Sequence, residues 1–162
     1  MLRREFQIEP VRSAADLAAA VRLFEAYAAS LAIDLAYQDF ATELATLPGK
    51  YAPPAGELLL ARERQGSPLG CVALRPLAPD GCCEIKRLYE VPGGRGLGLG
   101  RAMVEAILAG AVRIGYREVR LDTLPDMAEA IALYRKAGFA PIEAYYASPV
   151  VGTRFLGRPL RD

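Results

Sequence analysis

Apolar positions along the chain switch repeatedly between a period of two and a period near 3.6, which predicts interleaved strands and helices. Glu5-Phe6-Gln7-Ile8 alternates and predicts a short strand ended by Pro10. Ser13 then stands as a helix N-cap with Asp16 as its acidic partner, and Leu17, Val21, Phe24, Ala28 and Leu31 follow at helical spacing. A second helix is predicted over Asp39 to Leu47, stopped by Pro48-Gly49 and followed by a loop over 50–56. Leu58 to Ala61, Leu69 to Leu77 and Cys82 to Val91 read as an antiparallel meander. Its turns lie at Arg64-Gln65-Gly66-Ser67-Pro68 and Pro79-Asp80-Gly81.

In the second half, Met103, Val104, Ile107, Leu108, Ala111 and Ile114 share one helix face, with Glu105 and Arg113 off it and Gly115 as C-cap. Val119 and Leu121 alternate with Arg120 and Asp122, as on a fourth central strand. A last helix starts near Asp126, carries Met127, Ala130, Ile131, Tyr134 and Ala137 on one stripe, and stops at Gly138-Phe139. The tail from Ile142 to Leu156 is predicted to hold two more strands around Pro149. This order predicts an α/β or α+β fold with a mixed sheet, and residues 1–162 form one domain.

Charge narrows the partners. Lys and Arg total 20 against 19 Asp and Glu, so any anion site must be local, and binding to nucleic acid through bulk charge is not expected. The chain has no histidine, which removes imidazole-based triads and the commonest metal ligand. Cys71, Cys82 and Cys83 lack the spacing of a zinc site, so no metal is expected, and the adjacent pair reads as small core residues. Sparse, odd cysteines, no signal-like segment behind Met1-Leu2-Arg3-Arg4-Glu5 and no membrane-length apolar run lead us to expect a cytoplasmic protein.

The densest chemistry lies in Val91-Pro92-Gly93-Gly94-Arg95-Gly96-Leu97-Gly98-Leu99-Gly100-Arg101, at the start of a helix. N–H groups at a helix N-terminus lack intrahelical partners, and the macrodipole adds positive charge there. Glycines allow close backbone approach, so the segment predicts a cradle for a phosphate-bearing anion. It is not a P-loop, because Leu99-Gly100 follows Gly98 where Lys and Ser/Thr are needed. Nor is it a dinucleotide fingerprint, because Arg101 stands at the third glycine.

What remains, Arg95-x-x-Gly98-x-Gly100, resembles the pyrophosphate loop of the GNAT superfamily of N-acetyltransferases. Ala130-Ile131-Ala132-Leu133-Tyr134-Arg135-Lys136-Ala137-Gly138-Phe139 resembles that family's second motif, and together the likeness spans about Cys71 to Phe139. It implies a mostly antiparallel central sheet flanked by helices, with two central strands splayed to admit the pantetheine arm of acetyl-CoA. Backbone groups of Leu88, Tyr89 and Val91 would pair with that arm. Arg95 and the amides of Gly96, Leu97, Gly98, Leu99, Gly100 and Arg101 would hold the pyrophosphate. Two positions depart from the pattern. Glu90 replaces an apolar residue after Leu88-Tyr89, and Met127 stands where an asparagine is common.

The resemblance also assigns catalytic roles. Tyr134 matches the tyrosine that protonates the departing thiolate, although it lies on a core-packing stripe as well. Glu84 matches a frequent general base, and an ion pair with Lys86 on a strand face shared by Cys82, Glu84, Lys86 and Leu88 is an equal alternative. Asp122 ends a central strand, where ligands often bind, but capping the turn at Thr123 is the preferred reading. Tyr37, Tyr51, Tyr145 and Tyr146 are read either as walls of an acceptor pocket or as packing.

The implied reaction is direct transfer of acetyl from acetyl-CoA to a primary amine of a small molecule, in a ternary complex. A main-chain N–H near Leu88 or Tyr89 would steady the oxyanion. A peptide or protein amine is an alternative acceptor, and a non-catalytic acyl-CoA sensor or partner-binding module is the alternative class. No membrane partner is expected, and the chain is expected to be a monomer or homodimer.

Overall fold

A computed structural model describes residues 5–160, so the readings on Met1 to Arg4 lie outside the described residues. The strands are β1 (Phe6–Pro10), β2 (Glu57–Glu63), β3 (Pro68–Leu77), β4 (Cys82–Glu90), β5 (Glu118–Thr123), β6 (Ala140–Pro141) and β7 (Arg154–Pro159). The helices are α1 (Ala14–Ser30), α2 (Phe40–Thr46), α3 (Leu99–Ile114) and α4 (Ala128–Lys136). The strands form one sheet in the order β1-β2-β3-β4-β5-β7-β6. Every recorded pairing is antiparallel except β4 with β5.

That parallel pair is short. Only Cys82–Glu118, Cys83–Val119 and Glu84–Arg120 are in register. Beyond Glu84 the two strands part, while β4 continues against β3 to Glu90 and β5 continues against β7 to Thr123. The result is a mixed, mostly antiparallel sheet with splayed central strands.

The two faces of the sheet carry two cores. One packs α3 residues Leu99, Met103, Val104 and Ile107 and α4 residue Tyr134 on Val72, Leu74, Ile85 and Leu121. The other packs α1 residues Ala19, Ala20, Leu23 and Phe24 on Leu58, Leu60, Cys71 and Ala73. In α1 the buried stripe is rotated from the predicted one: Phe24 is buried as predicted, but its buried companions are Ala19, Ala20 and Leu23, with Leu17 and Val21 only half-buried. Small alanines let the helix sit close to the sheet, and helical spacing alone does not reveal that approach.

β1 ends at Pro10, as the alternation predicts. β1 is an edge strand, where a residue without an N–H costs no ladder bond. The tail also differs from expectation. Its strands are the short β6 and β7, and the segment between them is irregular around Pro149. Among the described residues no helix is long and apolar enough to cross a membrane. All three cysteines are buried and unpaired.

Candidate active site

β4 carries a bulge where the site begins. Cys71 faces Tyr89 and Ala73 faces Lys86, so Arg87 and Leu88 together oppose the single residue Val72. Arg87 takes a left-handed φ of 62°, a conformation that a non-glycine residue holds only under constraint from its surroundings. The constraint is visible. Arg87 is buried, its Nε and Nη2 bind both carboxylate oxygens of Glu43 at 2.9 and 2.8 Å, and its Nη1 donates to Gln38 Oε1 at 2.8 Å. Its guanidinium lies 5.1 Å from the Phe40 ring centroid and 5.9 Å from that of Tyr27. Burial alone would lower the guanidinium pKa, but the Glu43 bonds more than offset it, so Arg87 stays charged.

The bulge changes which side chains share a face. Leu88 packs with the α3-side core, whereas Tyr89 packs with the α1-side core. Simple alternation had grouped Leu88 with Glu84 and Lys86, and the extra residue breaks that phase.

A groove of about 630 Å³ opens along the splay and over the start of α3. Leu88, Tyr89, Arg95, Gly96, Gly98, Leu99, Gly100 and Arg101 line it, facing Met127, Ala130 and Leu133 at the start of α4. Gly98 caps α3 at φ 75°, where a side chain would be strained. Cβ atoms built on Gly96 and Gly98 meet nothing within 4 Å, so the loop presents open space to a ligand. Leu97 is exposed and does not line the groove. Val91 does not line it either. Its N–H donates to Leu69 O and its carbonyl accepts from Gly94 N, both at 2.8 Å, so its backbone is already spent. Glu90 does line the groove, and a Cβ on Gly100 would lie 3.9 Å from its Oε1. Burial pushes the Glu90 carboxyl above the ordinary range, against the attraction of Arg95.

A smaller cavity, about 40 Å³, continues from the groove between α1 and the β4/β5 gap. Tyr27, Leu88, Met127 and Ala130 line both. Tyr134, Tyr37, Gln38, Lys86 and Asp122 line the smaller one. Tyr134 is 6% exposed and meets Phe139 edge-on at 5.6 Å. Burial holds its phenol far above the ordinary range, so it remains protonated. The same cause pushes Tyr27 up to about 12.

Asp122 does not cap the turn. Its side chain is 7% exposed, its Oδ1 accepts from Lys86 Nζ at 3.2 Å, and its Oδ2 accepts from the Tyr146 hydroxyl. Burial works against its charge, but Lys86 and these hydrogen bonds outweigh it, and the carboxyl titrates below its usual range. The Glu84–Lys86 pair weighed as one alternative is therefore absent, because Lys86 turns across the splay to Asp122. Glu84 is 2% exposed and bonds Arg75 Nε at 2.8 Å and the Tyr145 hydroxyl at 2.6 Å. It lines neither the groove nor the small cavity.

Of the four tyrosines weighed, Tyr37 walls the small cavity, Tyr146 and Tyr145 hold Asp122 and Glu84, and Tyr51 packs in the α1-side core. The Arg87–Glu43–Gln38 cluster escaped the sequence reading. A basic residue beside an ordinary strand pattern gives no sign of a bulge.

A mixed sheet splayed beside a glycine-rich helix start defines an acyltransferase scaffold. Residues 18–139 match the profile of the Acetyltransferase (GNAT) family, and the chain belongs to that family. It is 41% identical to an uncharacterized N-acetyltransferase of Schizosaccharomyces pombe over 143 residues, 88% of each chain. It is 37% identical to the IAA acetyltransferase of Azospirillum brasilense over 112 residues, 67% of this chain and 71% of that one. Among solved structures, an acetyltransferase from Streptococcus agalactiae superposes with a TM-score of 0.78 at 23% identity, covering 98% and 100% of the two chains. A phosphinothricin acetyltransferase from Sinorhizobium meliloti, solved in complex with acetyl-CoA, superposes with a TM-score of 0.70 at 20% identity, covering 96% and 89%.

Proposed function

We propose that the protein is an N-acetyltransferase that moves acetyl from acetyl-CoA to a primary amine of a small molecule, in the cytoplasm. The observation that carries this reading is the continuity of the groove over the α3 N-terminus with the small cavity at the splay. The residues present fit the co-substrate. Gly96, Gly98, Leu99, Gly100 and Arg101 offer amides at a helix start, Arg95 adds a guanidinium, and the edge of β4 at Leu88 and Tyr89, which β5 no longer pairs, offers strand-like bonds to an amide-bearing arm. Bound acetyl-CoA supplies the activated acyl thioester.

Tyr134 serves as the proton donor, because it is protonated and lines the small cavity into which the groove leads. The bulge at Arg87–Leu88 sets the Leu88 N–H as the oxyanion donor. Lys86, Asp122, Gln38 and Tyr37 orient the acceptor, whose amine attacks as the free base and loses a proton to water as the amide forms and the carbon–sulfur bond breaks. Glu84 enters as a brace for Tyr145 rather than as the base, since both its oxygens are occupied.

Calorimetry with CoA and thiol release from acetyl-CoA across an amine panel test this reading. Saturable CoA binding with acceptor-dependent turnover is expected. Binding without turnover on any small amine or peptide would point to a sensor, and no binding would defeat the reading.

A further inference from the structure

A second cavity, about 190 Å³, lies on the α1–α2 side of the sheet. Its walls are α2, the 3-10 turn Gly49–Tyr51 and Arg75 on β3. It is smaller than the roughly 300–1,000 Å³ of drug-sized sites, so its ligand is small.

Tyr51 forms its buried wall. The residue is 2% exposed, and its hydroxyl, beside the Glu43 carboxylate that Arg87 neutralises, has no hydrogen-bond partner of good geometry among the described residues. Phenylalanine would keep the edge-on contact with Phe24 at 6.0 Å without stranding a polar atom. The hydroxyl is therefore poised for a partner from outside the chain. Arg75 spends its Nε on Glu84, which leaves its two amino groups for what enters. Lys50 stands at the rim. The lining acids do not compete equally for these donors. Glu43 is held through both oxygens by Arg87, and Asp39 accepts from the Thr42 hydroxyl at 3.0 Å. Asp39 keeps one free oxygen, but on the Arg75 side of the cavity the unspent groups are donors, and a planar carboxylate matches a guanidinium fork.

We propose that this cavity is a binding site for a small carboxylate, held by Arg75 and the Tyr51 hydroxyl. The carboxylate is either the far end of the acceptor, passing Gln38, which lines both cavities, or that of a separate effector. Either source is coupled to the acceptor cavity. Arg75 holds Glu84, Glu84 holds Tyr145, and the Tyr145 ring lies 5.7 Å from that of Tyr146, which bonds Asp122.

The test titrates glutarate, a dicarboxylate without an amine, into the full chain by calorimetry without acetyl-CoA. Its outcome is thus independent of the transferase reading. Saturable binding is expected, with none for the neutral diamide of glutarate. Tyr51→Phe should weaken it roughly tenfold while Tm stays level or rises. Thr46→Leu, at an exposed α2 position on the cavity wall, should block it. No glutarate binding by the wild type at about 10 mM, equal binding of the diamide, or unchanged binding in both variants would overturn the proposal. In steady-state assays, competition with the amine identifies the acceptor's own carboxylate, and altered turnover without competition identifies an effector.

Discussion

Lys86 on β4 and Asp122 on β5 form a buried ion pair, 3.2 Å long, across the gap where their strands part. No strand hydrogen bonds join β4 and β5 at this level, so the pair bridges the splay with side chains instead. Asp122→Asn leaves Lys86 charged and unpaired in a buried site. Stability should fall by about 3–5 kcal/mol, read as a lower urea midpoint.

That loss should depend on pH. The folded-state carboxyl of Asp122 titrates below its unfolded value of about 3.9. Its contribution is therefore fully present above about pH 4 and is lost as pH falls through the folded value. Wild-type and Asp122→Asn stabilities should converge in acid. A gap that stays constant down to the onset of acid unfolding would remove Asp122 as the titrating group.

Tyr134→Phe removes one hydroxyl and keeps the ring that packs on Phe139. Turnover should fall on the order of 10²-fold, with CoA affinity and Tm little changed. Equal kcat in wild type and variant would exclude the proton-donor role.

Glu90 places a carboxylate in the groove near the first turn of α3. A bound pyrophosphate would meet a like charge there, so Glu90→Gln should tighten CoA binding roughly three- to tenfold near neutral pH. Burial raises the Glu90 pKa, and protonation removes the repulsion, so the wild type should approach the variant as pH falls. Calorimetry at several pH values reads this directly, and identical affinities throughout would refute it.

Glu43→Gln strips Arg87 of its bidentate partner at the strained bulge. We expect a loss of about 3 kcal/mol, or roughly 6–12 °C in Tm, by scanning calorimetry. Because the bulge sets Leu88, turnover should fall even at temperatures where the variant is fully folded.

The strand meander, the helix after the glycine loop and the two motif segments were legible in the sequence because each is encoded locally. Gly115 in an αL C-cap and the apolar face of α3 announce themselves within a few residues. The terminal strands were not, since β6 is two residues long and exists only by pairing with β7. Lys86 could not be assigned from β4 alone, because its partner lies 36 residues away on a strand joined through a helix. Val91 kept its place in the motif, yet its backbone groups were taken by Leu69 and Gly94.

The amino-acid order by itself determined the family, the fold class and the glycine-rich helix start, since these rest on periodicity, turn residues and short spacings. Only the folded chain decided which charges face each other, where the bulge turns β4, and that Glu84 is enclosed while Asp122 meets the small cavity at the splay. Burial and pairing between distant residues follow from how layers pack, and a one-residue bulge reverses faces that alternation alone would assign.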